Sequence, residues 1–556
     1  MAIGAATPEA CSFAVCFAFT FVWESRNMPG RMSKPFYITT AIDYVNGQPH
    51  LGHAYEKVVA DVITRARRSL QEDVFFLTGL DEHGSKVQQA AQREGTSPQT
   101  YCDGLAIHWR QFAKSLGLGN DDFVRTTEGR HKTVVQAILS QLHSQNCFYK
   151  SLYRGFYSVK EETFLTEKDR RPDGTFDPAY GEVVELAEEN YYFRLKEQQP
   201  WLIEYIETHP EFIRPDSRRN EVLGFLKNNE LEDLCISRPA ARLSWGIPLP
   251  FDPGFVTWVW FDALVNYLTI PATRGDANVF AALPGTKAAL QPKEQHLELW
   301  PADIHLIGKD IVKFHAVFWP IMLKAMGLPL PRQLLVHGFW QKDGAKISKS
   351  TGNIVEPLRI IEQWGLDAFR YYVIRELDIG PDGNWTDTGF AARYQAELAN
   401  GLGNLVNRSL AMLKRYRQGV VPARSDELAA EARQAVADTT EQLRSQELQG
   451  ALKGIWTLVT RANQYVDHTA PFKLAKDPSQ AARLDEVLYN LVETCRVLAV
   501  LLWPFLPDTS ERIYKQLGLE YSPARLSTAN WGGLVPGHTI HEPAPLFPRK
   551  DATPAA

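Results

Sequence analysis

The sequence predicts an α/β protein in which a doubly wound parallel sheet is split by an inserted module and followed by an all-α bundle. Short β-branched and aromatic runs such as FYITTA and VFFLTGL alternate with helical periods from residue 35 to about residue 147, which is typical of βαβ units. The alternation stops and then returns in FVTWVWFDALVNYL and DIHLIGKDIVKFHAVFWPIMLKAMG. From about residue 386 nearly every segment is helix-periodic, which predicts a bundle. We therefore expect a Rossmann-like sheet domain and a separate helical domain.

Composition and charge narrow the class of protein. The chain has 556 residues, 44% of them hydrophobic, which is enough for a sizeable core and several domains. A net charge of −5 and a pI near 6.3 give no overall signature of a nucleic-acid binder, so any RNA contact must be a local patch. None of the six cysteines forms a CxxC pair, which argues against a disulfide scaffold or a cysteine zinc site and favours the cytoplasm.

The first 33 residues do not read as part of the folded protein. The run CSFAVCFAFTFVW at 11–23 is apolar but shorter than the roughly 20 residues that span a bilayer. It has no basic segment before it and no small-residue cleavage site after it. One reading is a signal-like segment. We favour an extension that is disordered or not translated, with Met28 or Met32 as the start, and we expect no membrane span.

The clearest helix follows HLGH at residues 50–53. Apolar residues recur every three or four positions on one side of the predicted helix and charged residues occupy the other, which predicts an amphipathic helix. The apolar positions are Leu51, Tyr55, Val58, Val62, Ala66 and Leu70, and the charged positions are Lys57, Asp61, Arg65 and Arg68.

The domain boundaries follow from changes in pattern. Turn chemistry such as RRPDGTFDPAYG marks the inserted module. We expect an extension at 1–33, the two halves of the sheet domain at 34–147 and 241–340, the insertion at 148–240, a connecting segment at 341–390, the helical domain at 391–545 and a tail at 546–556.

The HLGH motif places two imidazoles at the start of a helix. A helix N-terminus presents unpaired N–H groups and a partial positive charge, and Gly52 leaves room for a ligand to approach. His50 and His53 are three residues apart, so they share a face and can donate to phosphoryl oxygens. Alternatives are a pair of helix-capping or core histidines, or a metal pair.

A second candidate motif is GAKISKSTGN at residues 344–353. Its lysines, Lys346 and Lys349, lie among small hydroxylic residues and glycines, which is typical of a mobile loop that can reach over a polyphosphate. A basic loop alone is usually a solvated turn. This one follows a predicted strand of the second half, so we expect it at the same carboxyl edge of the sheet as HLGH. The two motifs would then face one ligand from two sides.

Together, HLGH and KISKS resemble the two signatures of class I aminoacyl-tRNA synthetases. The text from about residue 35 to about residue 530 resembles the methionyl-tRNA synthetases, through FYITTAIDYVNGQPHLGHAYEKVVAD, FLTGLDEHG, ISRPAARLSWGIPLP, VWFDALVNYL, HLIGKDIVKFHAVFWP, VHGFWQKDGAKISKSTGN and NQYVDHTAPFKLAK. The resemblance implies ATP-dependent activation of L-methionine and transfer to the 3′-terminal adenosine of tRNA(Met). It assigns catalysis to His50, His53, Lys346 and Lys349, and ATP binding to Gly52, Asp310, Ser348 and Lys349.

The resemblance also implies a methionine pocket and Mg²⁺ on the leaving pyrophosphate. An aromatic slot suits a thioether, and Asp81 can pair with the substrate ammonium. Without the resemblance, Trp260 and Tyr267 would be interpreted as core residues, Arg238 as a surface ion pair and Asp81 as a helix cap. The residues implied are Ile42, Tyr44, Asp81, Arg238, Trp260, Ala263, Leu264, Tyr267, Ile311 and His315.

Two further regions carry expectations from the family. Many members fold the insertion around zinc held by CxxC pairs, but residues 154–169 and their continuation contain none, so we predict no metal. In the helical domain, the anticodon-reading positions correspond to Asn404, Arg408 and Phe472, since exposed bases stack on aromatic rings. The alternative is that Phe472 packs between helices and Asn404 caps or crosslinks them.

Other functions share part of this pattern. Class I synthetases for isoleucine, valine and leucine carry a large editing domain, and an insertion of about 90 residues is too small for one. A cysteinyl enzyme would need a zinc-thiolate site. HxGH nucleotidyltransferases that act without tRNA would lack the helical domain, and a non-catalytic paralogue would not need both motifs. We expect a monomer that takes tRNA(Met), L-methionine and ATP.

Overall fold

The first segment of the chain alternates strands and helices. The computed structural model describes residues 34–45, 47–160, 163–165, 169–290, 296–347, 353–521 and 525–550. The predicted extension at 1–33 lies outside these ranges. The elements of the first segment are β1 (Phe36–Thr40), β2 (Asp43–Tyr44), α1 (Leu51–Ser69), β3 (Val74–Asp81), α2 (Ser85–Arg93), α3 (Pro98–Ser115), β4 (Asp122–Arg125) and α4 (Gly129–Ser144).

The next segment contains the insertion, which is built around a long antiparallel hairpin. Its two main strands pair residue by residue from Phe148 with Phe193 to Ser158 with Val183. The elements are β5 (Phe148–Ser158), β6 (Thr163–Leu165), β7 (Val183–Phe193), α5 (Gln199–Thr208), β8 (Ile213–Arg214), α6 (Asp216–Asn228), β9 (Leu234–Cys235), β10 (Ser237–Pro239), β11 (Pro248–Leu249) and β12 (Asp252–Thr257).

The α/β pattern then returns as predicted. Its elements are α7 (Val259–Leu264), α8 (Asn266–Thr273), α9 (Ala277–Ala282), α10 (Pro284–Ala289), β13 (Ile304–Gly308), α11 (Trp319–Ala325), β14 (Leu334–His337), β15 (Trp340–Lys342), β16 (Ala345–Lys346), α12 (Pro357–Trp364), α13 (Leu366–Glu376), β17 (Gly383–Trp385) and α14 (Asp387–Arg393). Wide π-helical turns at Phe314–Phe318 precede α11.

One parallel sheet joins the two halves across the insertion. Among the described residues it has the order β2-β3-β1-β13-β14-β8, with β4 also paired to β3. Every pairing in it is parallel. The chain passes from β1 to β3 and β4 on one side and from β13 to β14 on the other, so the strand order reverses between β1 and β13. In doubly wound folds, ligands bind at the carboxyl edge of such a switch point.

Strand β8 lies inside the range predicted as the insertion, yet it pairs with β14 and extends the core sheet. Strands β10 to β12 form a separate small sheet. The hairpin of β5 and β7 is therefore only one part of residues 148–240.

Helix α1 is buried on both of its sides. Its apolar positions pack in the core as the spacing predicts, but Lys57 and Asp61, on the charged side, are only 3% and 0% exposed. Asp61 accepts from the Arg370 guanidinium at 2.7 Å and from Arg65 at 2.7 Å. Charged partners therefore compensate the buried charges of this side, while Arg65 and Arg68 nearer the end of the helix are partly exposed.

The described part of the chain after α14 is helical and confirms the predicted bundle. A π-helical stretch at Tyr394–Gly403 leads directly into the next helix. The helices are α15 (Asn404–Arg417), α16 (Ala429–Arg444), α17 (Leu448–Thr469), α18 (Pro471–Leu474), α19 (Ala481–Leu502) and α20 (Pro507–Gln516). Within the described ranges, no helix is both long and apolar enough to cross a bilayer.

Candidate active site

A cavity of about 350 Å³ opens at the switch point of the sheet. It lies where the carboxyl ends of β1, β3, β13 and β14 meet the start of α1 and the helix α7. Most of the residues predicted for ATP and methionine line it together. These are Ile42, Tyr44, His50, Gly52, His53, Asp81, Trp260, Ala263, Leu264, Tyr267, Asp310, Ile311 and His315.

The two histidines of HLGH cap the helix that they begin. The Gly52 backbone N–H donates to Nδ1 of His50 at 3.1 Å, and the His50 backbone N–H donates to Nδ1 of His53 at 3.2 Å. The rings stack with centroids 3.7 Å apart. Because each Nδ1 accepts a hydrogen bond, the ring proton of each neutral imidazole resides on Nε2. Capping thus fixes the tautomer that can donate into the cavity, so the capping interpretation is correct and the catalytic role stays a prediction that is compatible with it.

Two glycines allow close approaches on the side of the cavity where ATP is predicted to bind. A Cβ at Gly52 would lie 3.0 Å from Cε1 of the His50 ring. A Cβ at Gly308 would lie 2.6 Å from Oδ1 of Asp310. Asp310 follows β13 in a short 3₁₀ turn, and burial raises the pKa of its carboxyl.

The apolar side of the cavity is an aromatic slot. The Trp260 ring stacks on Phe314 with centroids 3.7 Å apart. The Tyr267 hydroxyl contacts Nε2 of His315 at 2.7 Å, and Nδ1 of His315 lies 3.0 Å from the Ile311 carbonyl oxygen. That carbonyl can only accept, so Nδ1 carries the proton and Nε2 accepts from the tyrosine. Burial lowers the pKa of His315 to about 4, so this imidazole is neutral and its orientation is fixed.

A buried cluster holds α7, the helix that carries Trp260, Ala263 and Leu264. Asp262 on this helix lies 2.5 Å from Nδ1 of His83 and 2.6 Å from Nε2 of His131. Burial by itself would raise the pKa of Asp262, but the two imidazoles hold it down at about 2. The second nitrogen of His131 contacts Thr269 on α8 at 2.7 Å. Three separate segments thereby fix the floor of the slot.

The lysine motif begins on the strand pair β15 and β16. Gln341 pairs with Lys346, and β15 also pairs in parallel with β17. The backbone of Lys346 therefore ends a short hairpin that follows β14. Ser348 and Lys349 lie outside the described residues, so the predicted convergence of the lysines on the histidines stays a prediction.

Arg238 is the one predicted methionine residue that does not line this cavity. It lines a neighbouring cavity of about 260 Å³ between α2, the insertion hairpin and Trp258. The side chain is buried, and its guanidinium donates to the Ser237 carbonyl at 2.7 Å. The interpretation of Arg238 as a surface ion pair is therefore wrong. Val259 lines both cavities, so the cavity that Arg238 lines adjoins the aromatic slot predicted to bind methionine.

Several residues that sequence reasoning missed also line the main cavity. They include Asp43, Glu56, Lys86, Val259, Asn266, Gly308, His337 and Phe339. Asp43 and His337 had a detectable signal, since each lies at or just beyond the carboxyl end of a predicted parallel strand. Glu56 had none, because its neighbour Lys57 made a solvated charged side the simpler interpretation of α1.

The predicted anticodon residues lie in the helical domain. Asn404 begins α15, and Arg408 on the same helix pairs with Asp467 of α17 at 3.6 Å. Helix α17 ends at Thr469 and is followed by α18, where the Phe472 side chain is 46% exposed. Phe472 therefore does not pack between bundle helices. It presents an aromatic face to solvent.

The described residues contain no group of three or more His, Cys, Asp or Glu side chains arranged to hold a metal ion. The four cysteines at 102, 147, 235 and 495 are free thiols. The predicted absence of zinc stays a prediction.

The fold and the site define a class I aminoacyl-tRNA synthetase. The split parallel sheet has a capped HLGH helix at its switch point and a lysine hairpin after β14, and it is followed by an all-α C-terminal domain. Two family models match the chain. One, described as class I tRNA synthetases (M), covers residues 36–186 and 172–410. The other, described as the anticodon binding domain of methionyl tRNA ligase, covers residues 417–553. The chain belongs to the methionyl-tRNA synthetase family.

Individual relatives agree. A methionine–tRNA ligase of Fusobacterium nucleatum is 40% identical over 527 residues, which is 93% of this chain and 80% of the relative. The methionine–tRNA ligase of Bacillus subtilis is 40% identical over 93% of this chain and 78% of the relative. Among solved structures, Mycobacterium tuberculosis methionyl-tRNA synthetase in complex with methionyl-adenylate has a TM-score of 0.83 and 34% identity, and the match covers 93% of this chain and 100% of that one.

Proposed function

We propose that this chain activates L-methionine with ATP and transfers the methionyl group to the 3′-terminal adenosine of tRNA(Met). The observation that carries the proposal is a single cavity. It joins the capped histidine pair to an aromatic slot that suits a thioether side chain. The first part of this cavity suits a triphosphate and the second suits an unbranched apolar side chain.

In the first step, a carboxylate oxygen of methionine attacks the α-phosphorus of ATP. The bond from that phosphorus to the bridging oxygen breaks, and pyrophosphate leaves with the electron pair. The carboxylate is already ionised, so no general base is required. His50 and His53 donate from Nε2 to phosphoryl oxygens as charge develops, Lys346 and Lys349 close over the leaving group, and Ser348 and Gly52 contribute to nucleotide binding.

The two ends of methionine and the ribose are held by separate groups. Asp81, at the end of β3, pairs with the substrate ammonium. The side chain enters the slot formed by Trp260, Leu264 and Tyr267, where sulfur–aromatic contacts add to burial. Asp310 accepts from the ribose hydroxyls. Ile42, Tyr44, Ala263, Ile311 and His315 complete the wall, and Arg238 supports it from behind.

In the second step, a ribose hydroxyl of the terminal adenosine attacks the carbonyl carbon of methionyl-adenylate. AMP leaves, and its phosphate takes the hydroxyl proton. The helical domain selects the tRNA, with Phe472 stacking on an anticodon base and Asn404 and Arg408 contacting base edges. Mg²⁺ on the pyrophosphate of the ATP substrate would neutralise charge on the leaving group. The enzyme acts as a cytoplasmic monomer.

Amino-acid-dependent exchange of pyrophosphate into ATP, run with each of the common amino acids, tests this proposal. Methionine alone should support exchange, and the same preparation should then charge tRNA(Met). Exchange with valine or cysteine in place of methionine would contradict the assigned substrate. Exchange without charging would contradict the second step only.

A further inference from the structure

A chain of buried charged side chains runs along one wall of the catalytic cavity. The Lys57 ammonium donates to Asp43 at 3.0 Å, to Glu56 at 3.2 Å and to the Ala41 carbonyl oxygen at 3.2 Å. The other oxygen of Glu56 lies 3.1 Å from Nε2 of His337. Lys57, Asp43, Glu56 and His337 are each between 3% and 7% exposed.

This chain links the three elements that hold the reactants. Ala41 and Asp43 flank Ile42 in the segment that leads from β1 to Tyr44, on the methionine side of the cavity. Glu56 and Lys57 lie in the second turn of α1, whose first turn carries the catalytic histidines. His337 ends β14, which leads into the lysine hairpin.

Buried charges are a costly way to stabilise a fold. Removing charges from water is expensive, and an apolar set of similar volume is often as stable or more stable. Here the charged groups are retained beside the reaction centre, and the nearest contact of Asp43 with a catalytic group is 4.0 Å, to Nε2 of His53. Their placement therefore points to a role in geometry.

We propose that Lys57 is a positioning residue for methionine activation. It fixes the position of the segment 41–43, on the methionine side of the cavity, relative to helix α1. Through Glu56 and His337 it also fixes the position of β14. The inference rests on the proposed function. Lys57 does not line the cavity itself, so it acts through Asp43 and Glu56.

The arrangement is sensitive to protonation at Asp43. Burial raises the pKa of Asp43 to about 7, with Glu56 adding to the rise and Lys57 opposing it. Lys57 stays charged, because Asp43 and Glu56 raise its pKa against the effect of burial. As pH rises through 7, Asp43 ionises and its contact with Lys57 strengthens. The titratable or charged groups that contact Asp43 or line the same cavity are Tyr44, His50, His53, Glu56, Lys57, Asp81, Lys86, Tyr267, Asp310, His315 and His337.

The test compares the full-length enzyme with Lys57→Met, Asp43→Asn and the double variant, and uses Lys114→Met, an exposed lysine on α3, as the matched control. Pyrophosphate exchange is measured against methionine and against ATP from about pH 6 to about pH 8, with a thermal melt for each variant. The wild-type enzyme must first show methionine-dependent exchange, so failure of the proposed function is seen separately.

Lys57→Met should lower kcat/KM for methionine about tenfold near pH 8 and much less near pH 6. The effect is smaller near pH 6 because Asp43 and Glu56, which have lost their cation, are protonated at that pH. The double variant should have a kcat/KM for methionine about threefold higher than that of Lys57→Met near pH 8. Asp43→Asn alone should remove the rise of wild-type activity through neutral pH. Equal losses of kcat/KM at both pH values, with no gain in the double variant, would overturn the proposal. A wild-type pH profile for Asp43→Asn would also overturn it, and this second test does not require Lys57→Met to fold.

Discussion

Histidine is an unusual helix cap, because Ser, Thr, Asp and Asn are the side chains that normally accept from a first-turn N–H. In this chain the caps are imidazoles, and both Nδ1 atoms are used for capping. The opposite nitrogens are therefore preset as donors. The backbone N–H groups at the helix start therefore fix the orientation of both imidazole rings.

Two substitutions at His50 separate its roles. His50→Asn keeps a side-chain cap, so the free energy of unfolding should change by less than about 0.5 kcal/mol, while kcat for exchange should fall about 10²- to 10³-fold with loss of the phosphoryl donor. His50→Ala should lose a further ~1 kcal/mol of stability. Urea unfolding and exchange kinetics measure the two effects, and an Asn variant as active as wild type would remove His50 from catalysis.

The buried His315 makes stability depend on pH. Burial lowers its pKa from the ordinary 6.5 to about 4, so between these values the unfolded chain binds more protons than the native one. Its contribution is therefore fully present above pH 6.5 and is lost as pH falls toward 4. His315→Gln keeps one donor and one acceptor. When the pH falls from neutral to about 5.5, the free energy of unfolding of this variant should decrease by about 1 kcal/mol less than that of the wild type. Urea midpoints measure this, with His108→Gln, exposed on α3, as control.

At this scale the sequence was informative where spacing alone defines the geometry. His50, Gly52 and His53 were predicted together because they are adjacent in one turn. Asp43, Glu56 and His337 were not assigned to the site, since their contacts join residues up to 281 positions apart. A charged residue on a helix reads as solvated unless its distant partner is known.

The helix α7 shows how an element is fixed from outside itself. It is only one and a half turns long, and isolated helices of that length are not stable in water. The carboxylate of Asp262 is bound by imidazoles from β3's carboxyl end and from α4. The position of the predicted methionine slot is therefore set by residues that do not line the cavity.

Asp262→Asn should therefore act on methionine and not on ATP. One charge-assisted hydrogen bond is lost, so stability should fall by about 1.5–3 kcal/mol, and KM for methionine should rise several-fold while KM for ATP stays constant. Asp276 is a buried aspartate that caps α9. Asp276→Asn should lower stability without changing either KM, and an equal methionine effect there would mean that general destabilisation is the cause.

Element boundaries and types were well predicted where periodicity was strong. The helix expected after HLGH runs from Leu51 to Ser69, and helices predominate in the described chain from α14 onward. The contribution of β8 to the core sheet was missed, because two residues are too few to carry a periodic signal. Its pairing depends on β14, more than a hundred positions later in the chain.

One buried arginine contacts both the catalytic and the helical parts of the molecule. Arg370 on α13 donates to Asp61 on α1 and to the backbone carbonyls of Leu116, Pro504 and Phe505. Both Arg370 and Asp61 are fully buried. Helix α1 therefore connects the histidine turn at one end with the helical domain near the other.

Arg370→Met should lower the free energy of unfolding by about 3–5 kcal/mol, because it leaves Asp61 buried with only Arg65 as a charged partner. The pair of Arg359 with Glu356, whose side chains are 80% and 55% exposed, provides the control. Arg359→Met should cost less than about 1 kcal/mol. Chemical unfolding followed by tryptophan fluorescence measures both, and similar costs would contradict a special role for the buried arginine.

Phe472→Ala tests how the helical domain reads tRNA. The ring is 46% exposed, so stability should change by less than about 0.5 kcal/mol. Loss of one stacked base costs about 1–3 kcal/mol, so KM for tRNA(Met) in charging should rise roughly 5- to 150-fold while pyrophosphate exchange is unchanged. Ile107→Ala, which removes an exposed apolar side chain from α3, is the matched control, and unchanged charging by the Phe472 variant would reject the stacking role.

The two residues of β8 limit how far this enzyme can be shortened. A truncated form without residues 148–240 would lose the strand that covers β14, and the backbone N–H and C=O groups of a hydrophobic strand would then be open to pairing with another chain. Such a minimal enzyme would tend to self-associate even with its catalytic groups intact. A shortened design would need to retain Ile213 and Arg214 on a new connection.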